Sequence, residues 1–199
     1  MKTLLTNAKV IDPVTETISD GEVMFEDGII ISKERADETF DCQGQYISPG
    51  LIDLGVKVGE PGERHKESYK SAGAAAAAGG ITTIITRPDT NPAIDTPEVL
   101  EFIRRRAQEV CPVNVFHMVA LTKERAGREM TEIGFLKDAG AVAFTDFTNV
   151  VKNSKILLRA LSYAKSLDAL VIGHPQDPDL SDYTSATSGK FASLRGLPS

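Results

Sequence analysis

The hydrophobic pattern of this chain changes character near residue 47. Before that point, short apolar runs are separated by tight-turn signals. Leu4-Leu5 and Val10-Ile11 flank Asn7-Ala8-Lys9. Asp20-Gly21 and Asp27-Gly28 read as hairpin-type turns bracketing Glu22-Val23-Met24-Phe25, and Ile29-Ile30-Ile31 begins a further strand. This pattern predicts a small β-sandwich segment over residues 1–48. Its first strands alone would leave open edges that something should cover.

After residue 47, apolar strand candidates at 50–58, 81–86, 113–120, 140–145 and 168–173 alternate with helix candidates at 66–78, 96–110, 122–138 and 154–166. Such alternation predicts a parallel sheet with right-handed crossovers. Strands with little polar alternation predict cover on both faces. Thr96-Pro97-Glu98 reads as an N-cap followed by proline at the first helical position. The alanine run 74–78 favours a helix lying close on the sheet, and Gly79-Gly80 stops it. The fold class is therefore α/β. Residues 49–199 predict the N-terminal part of a TIM-type (β/α)8 barrel, with about five strands where a whole barrel takes about 250 residues. Residues 175–199, rich in Pro, Ser, Asp and Gly, read as a loop. A barrel stopping after its fifth strand has raw edges, so the chain is expected to be a piece of a longer polypeptide or to be completed by a partner.

Bulk properties narrow the function classes. A net charge of −6 over 199 residues disfavours nonspecific binding to nucleic acid or anionic membranes. No apolar run reaches the roughly 18–20 residues of a membrane span, and Met1-Lys2-Thr3-Leu4-Leu5 lacks a signal-peptide core. Cytoplasmic residence is the expectation. Cys42 and Cys111 lie far apart without metal spacing and read as reduced thiols.

The candidate chemistry begins at residues 49–62, Pro-Gly-Leu-Ile-Asp-Leu-Gly-Val-Lys-Val-Gly-Glu-Pro-Gly. This stretch resembles the first barrel strand of the dihydroorotase branch of metal-dependent amidohydrolases, which reads Pro-Gly-hydrophobic-Ile-Asp-x-His-x-His-hydrophobic-Arg-Glu-Pro-Gly. Further segments follow in family order. His65-Lys66-Glu67-Ser68 is similar to His-Lys-Glu-Ser/Thr, and 75–83 to Ala-Ala-Ala-x-Gly-Gly-hydrophobic-Thr-Thr. Arg87-Pro88-Asp89-Thr90-Asn91-Pro92 stands where the family has Met-Pro-Asn-Thr-x-Pro. Residues 141–146 resemble Gly-Ala-Val-Ala-Phe-Ser/Thr-Asp-Asp, and Ile172-Gly173-His174 resembles the strand-5 histidine segment. The chain is identified as a dihydroorotase-like homologue over most of its length.

The resemblance implies a zinc site in active relatives. Histidines on strands 1, 5 and 6 and an aspartate or modified lysine on strand 4 hold the metal, which activates water against a cyclic amide. Carried over residue by residue, Gly55 and Lys57 replace the two strand-1 histidines, Gly59 the substrate arginine and Asp89 the substrate asparagine. Asp53 is kept, while Asp146 and His174 match the strand-4 and strand-5 ligands and are vestigial. A catalytic zinc takes three protein ligands and water, so no catalytic set is intact and no cofactor is expected for this chain.

Lys57 and Arg87 are the unusual cations. Strand alternation would point Asp53, Gly55 and Lys57 the same way, toward the barrel interior in the family. There a Lys57 ammonium would replace the metal's charge beside Asp146 or Asp53, or else reach the barrel mouth unpaired. Arg87 is expected to pair locally with Asp89, to bind an anion, or to meet a partner. His65 reads as a surface residue and His117 as a hydrogen-bonded histidine within strand 3.

The leading expectation is a dihydroorotase-like pseudoenzyme of pyrimidine biosynthesis, catalytically inactive. Its role would be that of a structural partner, of aspartate transcarbamoylase by family analogy or through self-association. The alternative is a metal-dependent cyclic-amide hydrolase (dihydroorotase, or hydantoinase- or allantoinase-like) active only with a missing C-terminal half. A third reading is a small-anion-binding module using Arg87 and Lys57.

Overall fold

A computed structural model describes residues 1–181 and 183–198. The chain divides into two compact units, Met1–Gly50 and Leu51–Ser199.

In the first unit, β1 (Lys2–Asp12) pairs antiparallel with β2 (Thr17–Glu26), and β2 with β3 (Ile29–Ile31). Strands β4 (Glu38–Asp41) and β5 (Tyr46–Ile47) both run parallel to β1. The β segment expected from the sequence is thus one mixed sheet. Asp27-Gly28 is the β2–β3 turn, with φ of 49° and 80°, as a two-residue hairpin requires. Asp20-Gly21 is not a turn: these residues pair with Lys9 and Ala8 inside β2. Gly21 serves close packing there, since a Cβ would stand 3.2 Å from Val10 Cγ2. The β1–β2 turn is instead built by Asp12, whose Oδ1 accepts from the Val14 and Thr15 amides at 2.8 and 3.3 Å.

The second unit carries the parallel sheet of a partial (β/α)8 barrel. Its strands are β6 (Leu51–Val56), β7 (Ile81–Thr86), β8 (Asn114–Val119) and β9 (Ala143–Phe144), adjacent in that order. The expected fifth strand is reduced to a parallel bridge from Val171 to Phe144. Helices α1 (Tyr69–Ala78), α2 (Pro97–Val110), α3 (Ile133–Asp138) and α4 (Ser154–Ser166) cover the sheet. Helix α2 starts as its sequence predicts, with Thr96 Oγ1 accepting from the Val99 amide and Pro97 in the first turn. Its Leu100, Ile103 and Ala107 form one buried stripe, packed with Val119, Leu136 and Phe144. Helix α1 approaches its neighbours so closely that a Cβ on Gly73 would lie 2.4 Å from Cys111 Sγ. Ala72 and Ala76 face that packing, while Ala74, Ala75, Ala77 and Ala78 are exposed and serve helix propensity alone.

Two expected elements differ. The helix at 122–138 is a 3-10 turn at Lys123–Arg125, a closed loop, and then α3. Thr122 bridges to Met130, the Thr131 hydroxyl donates to the carbonyls of Ala120 and Leu121, and Gly127 takes φ 69°. Residues 123–130 carry no apolar stripe, so these tertiary bonds override their helix propensity. The loop expected at 175–199 contains two short helices, α5 (Pro178–Ser181) and α6 (Lys190–Arg195); Asp182 and Ser199 lie outside the described residues.

A buried polar group sits between the sheet and α1. The Thr86 hydroxyl meets His117 Nδ1 at 2.8 Å, and the Tyr69 ring meets the His117 ring edge-on at 5.9 Å. Burial, helped by the charge of Arg104, pushes His117 down from 6.5 to about 4. The unfolded ring takes a proton below about pH 6.5 while the folded ring does not until about pH 4. Stability is therefore full above pH 6.5 and is lost on acidification through that window, by about 3 kcal/mol. Urea denaturation of the wild type and His117→Gln between pH 4 and 7 should show the variant with the flatter profile.

Candidate functional site

The site lies at the C-terminal ends of the strands, where barrels of this class carry their chemistry. Its geometry begins with a break in β6. The β6–β7 register shifts between Leu54 and Val56, and Gly55 takes φ 85° there. Strand alternation therefore stops at Gly55, and the expectation that Asp53, Gly55 and Lys57 share one direction fails. Asp53 is in register with Ile84, and both line a groove with Ala72 and Ala76 of α1. Asp53 thus faces the helix layer, away from any ionic site with Lys57 or Arg87. Lys57 lies past the end of β6.

Lys57 does not pair with Asp146 or Asp53. Its ammonium is 3.5 Å from Asp89 Oδ2 and 3.9 Å from Glu63 Oε2. Asp89 is the centre of this cluster. Arg87 forks onto it, with Nε donating to Oδ1 at 2.9 Å and Nη2 donating to Oδ2. The Arg87 guanidinium also lies over the Phe147 ring, 3.7 Å from its centroid. Burial works to raise the Asp89 pKa, but hydrogen bonding and charge from Arg87, with Lys57 adding to them, outweigh it and hold the carboxyl below its usual range. Of the three possibilities for Arg87, the local pair is the one formed. It is more than a surface pair, because the Asp89 side chain is only 9% exposed and the contact is bidentate.

This cluster stands next to the first family ligand position. A Cβ built on Gly55 would lie 3.8 Å from Phe147 Cε2 and 4.0 Å from Arg87 Cδ. A side chain there would start in contact with the ring and with the Arg87 stem, at a φ that strains any residue but glycine. Gly59 is closed outright, since a Cβ there would come within 2.5 Å of the Glu63 carbonyl oxygen. The loop has folded onto the position where the family carries its substrate arginine.

Asp146 is buried at the end of β9 but is not short of partners. Oδ1 accepts from the amides of Leu121 and Thr122 at 3.1 and 3.0 Å, and Oδ2 accepts from the Thr122 hydroxyl. Neutral donors from the segment after β8, and not an ammonium, compensate this carboxylate. His174 is exposed, with Nε2 2.9 Å from Gln176 Oε1. Among the described residues, no three His, Cys, Asp or Glu side chains cluster at metal-binding distance.

The donor set therefore does not fit a catalytic zinc. Gly55 offers no donor, Lys57 offers a cation, Asp146 already accepts three hydrogen bonds, and His174 lies outside the Asp146 hydrogen-bond network. What the arrangement does is hold a buried carboxylate between two cations at the mouth of the sheet.

Two residues that matter escaped the sequence reading. Phe147 follows Asp146 where the family run continues with a second aspartate, and that replacement is visible in the sequence. Glu60 is buried, accepting from Arg106 Nε at 2.9 Å and from the Tyr69 amide at 3.2 Å. It ties the loop after β6 to α1 and α2, and only the Glu-Pro-Gly segment hinted at it.

Comparison with known proteins agrees with this frame. The family model described as dihydro-orotase-like matches residues 44–199. The chain is 38% identical over 205 residues to the dihydroorotase of Syntrophus aciditrophicus, covering 100% of the chain and 48% of that protein. It is 39% identical over 197 residues to the dihydroorotase-like protein of Pseudomonas putida, covering 96% of the chain and 46% of that protein. The chain thus spans about half the length of these curated relatives. Among solved structures, the L-hydantoinase (dihydropyrimidinase) from Arthrobacter aurescens superposes with a TM-score of 0.77 at 19% identity, over 89% of this chain and 41% of that one, a likeness of fold. By sequence over most of its length and by the architecture of its parallel sheet, the chain belongs to the dihydroorotase-like family.

Proposed function

We propose that this chain is a non-catalytic dihydroorotase-like protein of pyrimidine biosynthesis, acting as a structural partner. One observation carries the reading: an internal ionic cluster takes the place of the strand-1 metal ligands. Arg87 and Lys57 neutralise Asp89, while Phe147 and Arg87 occupy the space beside Gly55. One strand-1 ligand position is a glycine with no side-chain donor and the other carries a cation already paired with Asp89, so neither offers a metal a ligand.

The open side of the parallel sheet is a surface for further strands of a longer polypeptide or for a partner, and the partner role proposed here takes the second. Strand β6 is at the edge of the sheet among the described residues, and its Leu51, Ile52 and Leu54 are 59–68% exposed. An apolar, unpaired strand edge is a surface that natural proteins cover. By family analogy the partner is aspartate transcarbamoylase. Co-expression of the two chains followed by size exclusion tests this, and comigration at micromolar concentration is the expected result. Separate elution of a stable, isolated chain would count against it. Zinc-dependent hydrolysis of dihydroorotate by a longer polypeptide containing this chain would favour the cyclic-amide hydrolase reading instead.

A further inference from the structure

Three loops that follow successive strands meet around a second cavity of about 840 Å³, whose lining includes none of Gly55, Lys57, Arg87 or Asp89. Arg125 and Arg128 come from the loop after β8, and Thr148 and Lys152 from the loop after β9. Gln176 follows the Val171 bridge. Among the described residues the lining carries these three cations and no carboxylate, in a chain of net charge −6. Among the described residues none of the three forms an ion pair, although Lys123 beside them does. Like charges gathered around one concavity raise its positive potential, and an anion relieves that repulsion.

The wall of the cavity is built from fixed contacts. Asn149 Nδ2 donates to the Arg125 carbonyl at 2.9 Å, and the Gly127 amide donates to Thr122 Oγ1 at 2.8 Å. Gly127 takes φ 69°, a turn conformation that favours glycine, and a Cβ there would make ordinary contact with Val151 Cα at 3.5 Å. The first amides of α4 are not free to bind, because Asn153 Oδ1 already accepts from Lys155 and Ile156 at 3.0 and 3.3 Å. The helix therefore adds its field, and the side chains supply the contacts.

We propose that this cavity binds a small molecule bearing a multiply charged phosphate group. Its volume lies within the usual range of ligand pockets, and arginine forks match phosphate geometry. The inference does not depend on the loss of the metal ligands. The test is calorimetric titration of the full chain with inorganic pyrophosphate at fixed ionic strength, repeated with the Arg128→Gln/Lys152→Gln double variant. Saturable binding that weakens at least about tenfold in the variant, and weakens with added salt, is expected. Absence of saturable binding, or equal affinity in the variant, would overturn the proposal. Equal melting temperatures of the unliganded proteins establish that the variant is folded, and Lys152→Gln alone replaces it otherwise. A parallel titration with adenosine triphosphate divides the sources: tighter binding than pyrophosphate means the nucleoside is also held, and equal binding means the phosphates alone are recognised.

Discussion

Replacing Gly55 and Lys57 together by histidine, which restores the family's strand-1 ligands, is expected to yield a less stable protein and no zinc site. Residue 55 sits at φ 85°, a conformation that costs a side chain about 1–3 kcal/mol. The imidazole would extend from a Cβ in contact with Phe147 at 3.8 Å and Arg87 at 4.0 Å, so a ring directed at them displaces the cation–π contact. Loss of Lys57 removes the ammonium 3.5 Å from Asp89. Together these changes should cost about 4 kcal/mol, measurable by urea denaturation. Wild-type stability with about one zinc gained per chain would show that the metal site is intact apart from those two positions.

The second large effect concerns Asp146. Asp146→Ala strands two buried backbone amides, of Leu121 and Thr122, and the Thr122 hydroxyl. At about 1–3 kcal/mol for each buried group left without a partner, the loss should reach about 4 kcal/mol or more. Asp146→Asn should cost far less, about 1 kcal/mol. Its amide oxygen can still accept from the two backbone amides, and its NH2 can donate to the Thr122 hydroxyl oxygen. Denaturation of both variants in parallel checks this. An asparagine variant as unstable as the alanine variant would mean that the negative charge itself, and not the hydrogen bonds, is what this position supplies.

Much of the fold was legible because local signals and tertiary demands coincide. Thr96-Pro97 at the start of α2, Gly79-Gly80 after α1 and the apolar run of β7 each had one physical reading, and the fold uses it. The sequence misled where a residue type serves two purposes. Asp20-Gly21 has turn chemistry, yet the glycine is there so that Val10 can pack against it. Residues 123–130 have helix formers but no apolar stripe, and the bonds of Thr122 and Thr131 decide their path.

At the candidate site, the positions of Gly55, Lys57, Gly59, Asp89, Asp146 and His174 could be read from motif order, but their partners could not. The prediction for Lys57 relied on period-two alternation, and a glycine at positive φ breaks it. Pairing with Asp89 instead of Asp146 depends on where the loop after β7 returns, which no spacing rule gives. Phe147 is the instructive omission. Its replacement of a polar family position was in plain view, and it is the residue on which Arg87 rests.

The central claim is that an internal ionic cluster has taken the place of the metal. The most direct measurement is the zinc content of the purified chain after dialysis against trace zinc. The account predicts less than about 0.1 zinc per chain, since among the described residues fewer than three ligands stand within reach of one another. About one tightly held zinc per chain would contradict it.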